Sequence, residues 1–146
     1  MDAPLTVWYC DVCGNAIDLN LNKGCVISKV DNNNKHHDFK IVHKINCRSE
    51  LDDHSNVLDI EDYLSDNGIA LLLSDLSDGP HRNRKNACCI KDLDEFVDLF
   101  RRLQTPYYEE ARKQFKNQQF LADFADENEV RPYLPKTLED IIRNYP

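Results

Sequence analysis

A chain of 146 residues, 41% apolar and 30% charged, is long enough to bury one core unaided and too balanced in composition to be disordered. Its net charge of −8 is unevenly placed: residues 51–80 carry eight acids and no Lys or Arg, whereas residues 1–50 hold six of each sign and residues 81–146 twelve of each. That map disfavours nucleic acid, whose affinity comes largely from Lys and Arg on phosphates, and favours a protein partner with a basic surface.

At the N-terminus, residues 1–8 have no basic start followed by an apolar core, so a secretory leader is not expected. The longest apolar run, residues 69–73, falls far short of the roughly 20 needed to span a bilayer, and no membrane partner is expected. A cytoplasmic location follows as an expectation, and there the six cysteines read as thiols or metal ligands rather than disulfides.

Thr6, Val7, Trp8 and Tyr9 are β-branched and aromatic and predict a strand leading into Cys10-Asp11-Val12-Cys13-Gly14. Residues 24–30 and 38–43 predict two further strands, and the polar turn Asp31-Asn32-Asn33-Asn34-Lys35 joins them as a hairpin. From Ser55, a plausible cap, Val57, Leu58, Ile60 and Leu64 show helical spacing, with Gly68 ending or bending that helix. Residues 69–76 predict a second short helix, apolar almost all round and therefore buried, stopped by Ser77-Asp78-Gly79-Pro80. Ile90, Leu93, Phe96, Val97, Phe100 and Leu103 mark an amphipathic helix of about four turns. Thr105-Pro106 opens another, with Tyr108, Ala111, Phe115 and Leu121 on one side. Pro132 and Pro135 precede a terminal helix carrying Leu138, Ile141, Ile142 and Tyr145. The expected fold class is α+β in a single domain over 1–146, with a small β-hairpin zinc lobe over 1–50 and a lobe of about four to five helices over 51–146.

Two close pairs of metal-ligand residues stand out, Cys10-x-x-Cys13 and His43-x-x-x-Cys47. Zinc takes four thiolate or imidazole donors in a tetrahedron, and a structural site fills all four positions with protein. The 29 intervening residues are the predicted hairpin, which returns the chain to its start. Gly14 supplies the conformational freedom a knuckle turn needs after its second cysteine. One structural Zn²⁺ on Cys10, Cys13, His43 and Cys47 is therefore expected. Cys25, His36 and His37 are competing fourth ligands, better explained as hairpin residues; alternation places His43 on the face of Phe39 and Ile41.

A Cys-x-x-Cys-Gly knuckle, a hairpin and a second ligand pair at a turn or helix start resemble treble-clef and zinc-ribbon proteins over residues 8–47. The remainder resembles small uncharacterised bacterial or phage proteins, which implies no function.

Cys88-Cys89, just before the amphipathic helix, predicts one buried and one partly exposed thiol. Four protein donors close a zinc site to catalytic water, and the His-x-Glu of zinc deaminases, His-Glu-x-x-His, Gly-x-Ser-x-Gly and phosphate-binding glycine loops are all missing from the chain. The expectation is a non-catalytic protein-interaction module, adaptor or inhibitor, that uses Asp52, Asp53, Asp59, Glu61, Asp62 and Asp66 as its contact surface. Two alternatives stay open. One is nucleic-acid binding through the zinc lobe and the basic residues 81–85, with Trp8, Tyr9 and Phe39 as stacking groups; the other is a metal-dependent nuclease built on His36-His37-Asp38.

Overall fold

Alternating and β-branched residues fill the first part of the chain and helical periodicity the rest, and the computed structural model, which describes residues 3–19, 23–80 and 88–145, has that α+β order. Trp8–Tyr9 (β1) pairs antiparallel with Ala16–Ile17 (β2), a strand too short to show alternation in sequence. Gly24–Val30 (β3) and His36–His43 (β4) form the predicted hairpin, with β4 two residues longer than expected. Its turn is held by the Asp31 carboxylate, which accepts from the amides of Asn33 and Lys35, both at 2.9 Å. Between the pairs Ile27↔Lys40 and Lys29↔His37, β4 contains one residue more than β3. Asp38, at φ +52°, sits in that bulge.

The segment expected to be helical from Ser55 is instead a strand, Asn56–Asp59 (β5), followed by a 3-10 turn at Ile60–Tyr63. β5 pairs with β3 to give the order β4-β3-β5. β3 is buried from Gly24 to Ser28 and would otherwise leave one row of amides and carbonyls without partners, a demand that outweighs a weak local helical pattern.

Ser65–Leu76 (α1) then runs as one helix through Gly68, which does not end it. Gly68 is needed for close approach: a Cβ there would lie 2.0 Å from the Tyr63 carbonyl group. The expected all-round burial also fails, since only Gly68 and Leu72 are buried and Leu73 is 50% exposed. α1 packs mainly on the Ile60–Tyr63 turn and on the next helix, and its outer face meets solvent. That next helix, Leu93–Gln104 (α2), starts three residues later than predicted, at an Asp92 cap whose side chain accepts from the amides of Asp94 (3.0 Å) and Glu95 (3.3 Å). Ile90 instead bridges β4 at His36.

The single helix expected after Pro106 is broken into Tyr108–Ala111 (α3), a 3-10 turn, and Gln118–Asp123 (α4). Asn117 breaks it by capping α4 through the amides of Gln119 and Phe120 at 2.8 and 3.3 Å. Leu121 consequently faces outward at 51% exposure. Pro135–Asn144 (α5) begins at proline and buries Leu138 and Ile141 as predicted.

One core joins Trp8, Ile17, Cys25, Ile27, Ile41 and Ile60 to Leu72, Phe96, Leu99 and Leu103. A second gathers Tyr108, Ala111, Phe120, Leu138 and Ile141 under an aromatic cluster. Among the described residues no helix is long and apolar enough to cross a membrane.

Candidate metal centre

β1 delivers Cys10, and the turn after it doubles back because the Gly14 amide donates to the Cys10 carbonyl and the Cys10 amide to the Asn15 carbonyl, each at 2.9 Å. Gly14 takes φ +78°, a conformation that glycine adopts without penalty. The end of β4 delivers His43, and a turn with Asn46 at φ +76° brings round Cys47, directly before the 3-10 turn Arg48–Glu50. Four donor atoms, one each from Cys10, Cys13, His43 and Cys47, lie within 4.8 Å of one another.

That spacing fits a metal ion. With Zn–S bonds of ~2.3 Å the edge of a tetrahedron is about 3.8 Å, close to the 3.4 and 3.6 Å that separate His43 Nδ1 from the sulfurs of Cys13 and Cys47. His43 Nε2 lies 3.2 Å from the Ala16 carbonyl, to which it can donate, leaving Nδ1 as the ligand atom. The Val12 amide points at the Cys10 sulfur at 3.4 Å.

The thiols are poised unequally. Burial pushes the Cys10 thiol up, but the amides of Cys13, His43 and Val12 and the His43 ring together bring it down to about 7. Burial and the neighbouring Cys10 and Cys13 push Cys47 up to about 12. Three thiolates this close repel one another, and a divalent cation is the natural partner that lets all three ionise. Four protein donors leave no open position, the arrangement of a structural rather than a catalytic zinc site.

The competing ligands lie elsewhere. Cys25 is fully buried in the core, where burial raises its pKa, and His36 Nδ1 is 3.1 Å from Ser28 Oγ. His36, His37 and Asp38 form no ligand group with each other; among the described residues the Cys3His set is the one cluster able to hold an ion. All six cysteines are free thiols. Cys88 and Cys89 are both half-buried, so the expected contrast between them is absent: the Cys89 carbonyl accepts from the His36 amide at 2.7 Å and holds the pair level along the edge of β4.

Two polar networks around the centre escaped the sequence. Arg102 on α2, 3% exposed, donates from Nε and Nη2 to the two oxygens of buried Glu109 (2.7 and 2.8 Å), from Nη1 to Asp11 (2.8 Å) and from Nη2 to the Tyr9 carbonyl (3.2 Å). Burial opposes its charge, but Glu109 and Asp11 outweigh that and raise its pKa above the ordinary arginine value. Further along the sheet, buried His54 lies between Asp38 and Asp53, at 3.1 Å from Nε2 and 3.0 Å from Nδ1. Both ring nitrogens are thereby occupied, leaving neither for a substrate or an ion.

Among the six acids read as a contact surface, Asp53 pairs with Lys29 and Asp59 with Lys44. Asp52, Glu61, Asp62 and Asp66 are exposed and make no side-chain hydrogen bond or ion pair with a described residue. Of the three aromatics considered for stacking on bases, Trp8 is fully buried with its indole N–H on the Arg102 carbonyl at 2.9 Å, and Phe39 packs edge-on against Phe96. The basic residues 81–85 lie outside the described residues. The chain matches no family model, no characterised relative and no solved structure.

Proposed function

We infer that this chain is a zinc-stabilised, non-catalytic protein-interaction module, an adaptor or inhibitor, that works in a reducing compartment such as the cytoplasm. A treble-clef- or zinc-ribbon-like lobe holds one Zn²⁺ on Cys10, Cys13, His43 and Cys47, and the ion serves as rigid support for the surface beside it. The carrying observation is that the four exposed carboxylates of Asp52, Glu61, Asp62 and Asp66 form no side-chain hydrogen bond or ion pair with a described residue. Carboxylates left in this state repel one another and nucleic acid alike, and are relieved by a basic protein surface.

Native mass spectrometry of the chain isolated gently from its own cells tests both parts. One zinc per chain and a co-purifying protein are expected, and the variant D52N/E61Q/D62N/D66N should lose that protein at low salt while keeping the zinc. A folded, metal-free wild type overturns the zinc assignment; retention of the partner by the variant overturns the surface.

A further inference from the structure

We propose a second contact site, separate from the metal lobe: an aromatic pocket in the C-terminal core that takes one apolar side chain from a basic segment of a partner protein. The pocket is a cleft of about 310 Å³ lined by Phe115, Phe120, Leu121, Phe124, Pro132 and Tyr133. Its floor is preformed. Phe120 stacks on Phe124 at 4.6 Å and lies 5.4 Å from Phe115, which meets Tyr133 edge-on at 6.0 Å, and Arg101 caps the Tyr133 ring at 3.8 Å. The volume is at the small end of ligand clefts, about 300–1,000 Å³, and suits a single large side chain. Leu121, Val130 and Leu134 stand 51%, 62% and 46% exposed in the segments that form and flank it, an apolar surplus of the kind that marks interaction sites.

The surrounding charge selects the occupant. Residues 117–130 contain Asp123, Asp126, Glu127 and Glu129 and no Lys or Arg, a local excess that the neutral total over 81–146 conceals. Asp123 bonds Tyr145 and Gln119, and Glu127 is tied to Arg131. Asp126 and Glu129 are exposed with no side-chain partner among the described residues; Asp126 directly follows Ala125 of the pocket wall, and Glu129 comes three residues before Pro132. Exposed Lys116 and Arg131 border this stretch at its two ends, and with Arg131 tied to Glu127 the four acids still outnumber the two bases. An apolar pocket with an acidic rim disfavours acidic peptides and nucleic acid and accepts an aromatic or leucine side chain flanked by Lys or Arg.

Selection of random dodecapeptides on the full zinc-loaded chain, followed by fluorescence anisotropy of the enriched peptides, tests this. Peptides pairing Trp, Phe or Leu with flanking Lys or Arg are expected. Leu121→Ser should weaken them about tenfold, and Asp126→Asn with Glu129→Gln about fivefold at low salt with little effect at high salt. Both changes are at exposed positions, and unchanged far-UV helicity and an unchanged tyrosine near-UV signal, Tyr108 and Tyr133 being in that core, will show that each variant is folded. Acidic or uncharged winners, no winners, or indifference to both variants overturn the proposal. So does sedimentation showing self-association that Leu121→Ser abolishes, which would make a second copy the occupant. The quadruple variant of Asp52, Glu61, Asp62 and Asp66 should leave peptide affinity unchanged; if it alone abolishes binding, this pocket fails while the acidic surface near the metal lobe stands.

Discussion

Arg102 Nη1 lies 2.8 Å from the Asp11 carboxylate, which ties the last turn of α2 to a residue inside the Cys10-x-x-Cys13 knuckle. The same Asp11 oxygen accepts from the Ile41 amide at 2.7 Å, and the Asp11 amide donates to the Ile41 carbonyl at 2.8 Å. One carboxylate therefore clamps the knuckle to β4, the strand that carries His43, and to α2 at once. The two ligand-bearing segments are set against each other partly by a charge network that touches no ligand atom.

Replacing Arg102 by Leu leaves the Glu109 carboxylate, itself 3% exposed, without its ion partner and with only the Tyr9 amide at 3.1 Å. Breaking a buried pair from one side costs about 3–5 kcal/mol, and urea unfolding followed through Trp8 should show a loss of that order. R102L/E109Q should recover part of it. Because Asp11 also loses its ion partner and keeps only the Ile41 amide, zinc affinity measured by chelator competition should fall on the order of tenfold, as for other supports of a metal site. Unaltered affinity in a folded Arg102→Leu protein would show that the knuckle needs no help from α2.

Cys13→Ser should abolish stoichiometric zinc, because it removes one of four donors from a closed site. Metal binding in such sites is folding free energy. Chelation of the wild type should therefore shift the emission of Trp8, the one tryptophan of the chain and two residues from Cys10, toward longer wavelength, and added zinc should reverse the shift. A buried, unshifted Trp8 after complete chelation would mean that the core alone holds the lobe.

The cluster of Cys10, Cys13, His43 and Cys47 was legible because its logic is local: a Cys-x-x-Cys-Gly knuckle, a turn-rich hairpin and a second pair where the hairpin ends. β5 was not, because what makes Asn56–Asp59 a strand is the open edge of β3, some 30 residues earlier in the chain. Val57 and Leu58 satisfy helix and strand patterns equally until that partner is known. The Arg102 network was hidden for the same reason, with 91 residues separating Arg102 from Asp11. The burial of Trp8 and the break at Asn117 likewise depend on which side chains arrive from elsewhere. Periodicity located α2 and α5, whose apolar faces are decided within each helix.

Asp38 and Asp53 make stability fall on acidification. For Asp38, burial raises the pKa, but Lys40, His54 and Lys29 lower it further; for Asp53, hydrogen bonds from Lys29 and His54 lower it. A carboxylate whose folded pKa is depressed contributes stability in full above its unfolded value, near 3.8, and loses it as pH falls through the folded value. Both carboxylates are substantially solvent-exposed, so the effect is screened and small. Asp38→Asn keeps a residue tolerant of φ +52° and removes the charge. The Tm difference between wild type and Asp38→Asn should shrink as pH falls from about 5 to below about 4; comparing the two at each pH cancels effects common to both. A difference that grows on acidification would contradict the assigned direction.

Gly68→Ala sets helix propensity against packing. Within α1 an alanine would ordinarily gain about 1 kcal/mol over glycine. At this position the added methyl meets the Tyr63 carbonyl carbon and oxygen at 2.0 Å, backbone atoms held by the 3-10 turn, with Gln104 Nε2 at 2.8 Å. Gln104 Nε2 donates to the carbonyls of Tyr63 (2.7 Å) and Ser65 (3.0 Å), so relieving the clash also disturbs the hydrogen bonds that join α2 to the start of α1. Overpacking of this kind costs about 1–3 kcal/mol, and its sign is opposite to that of propensity. Gly68→Ala should therefore lower the urea midpoint. Asn67→Ala, one residue earlier and exposed, should raise it by a few tenths of a kcal/mol or leave it unchanged. If Gly68→Ala stabilises instead, the Tyr63 turn yields easily, and glycine at 68 is not required by the approach of α1 to that turn.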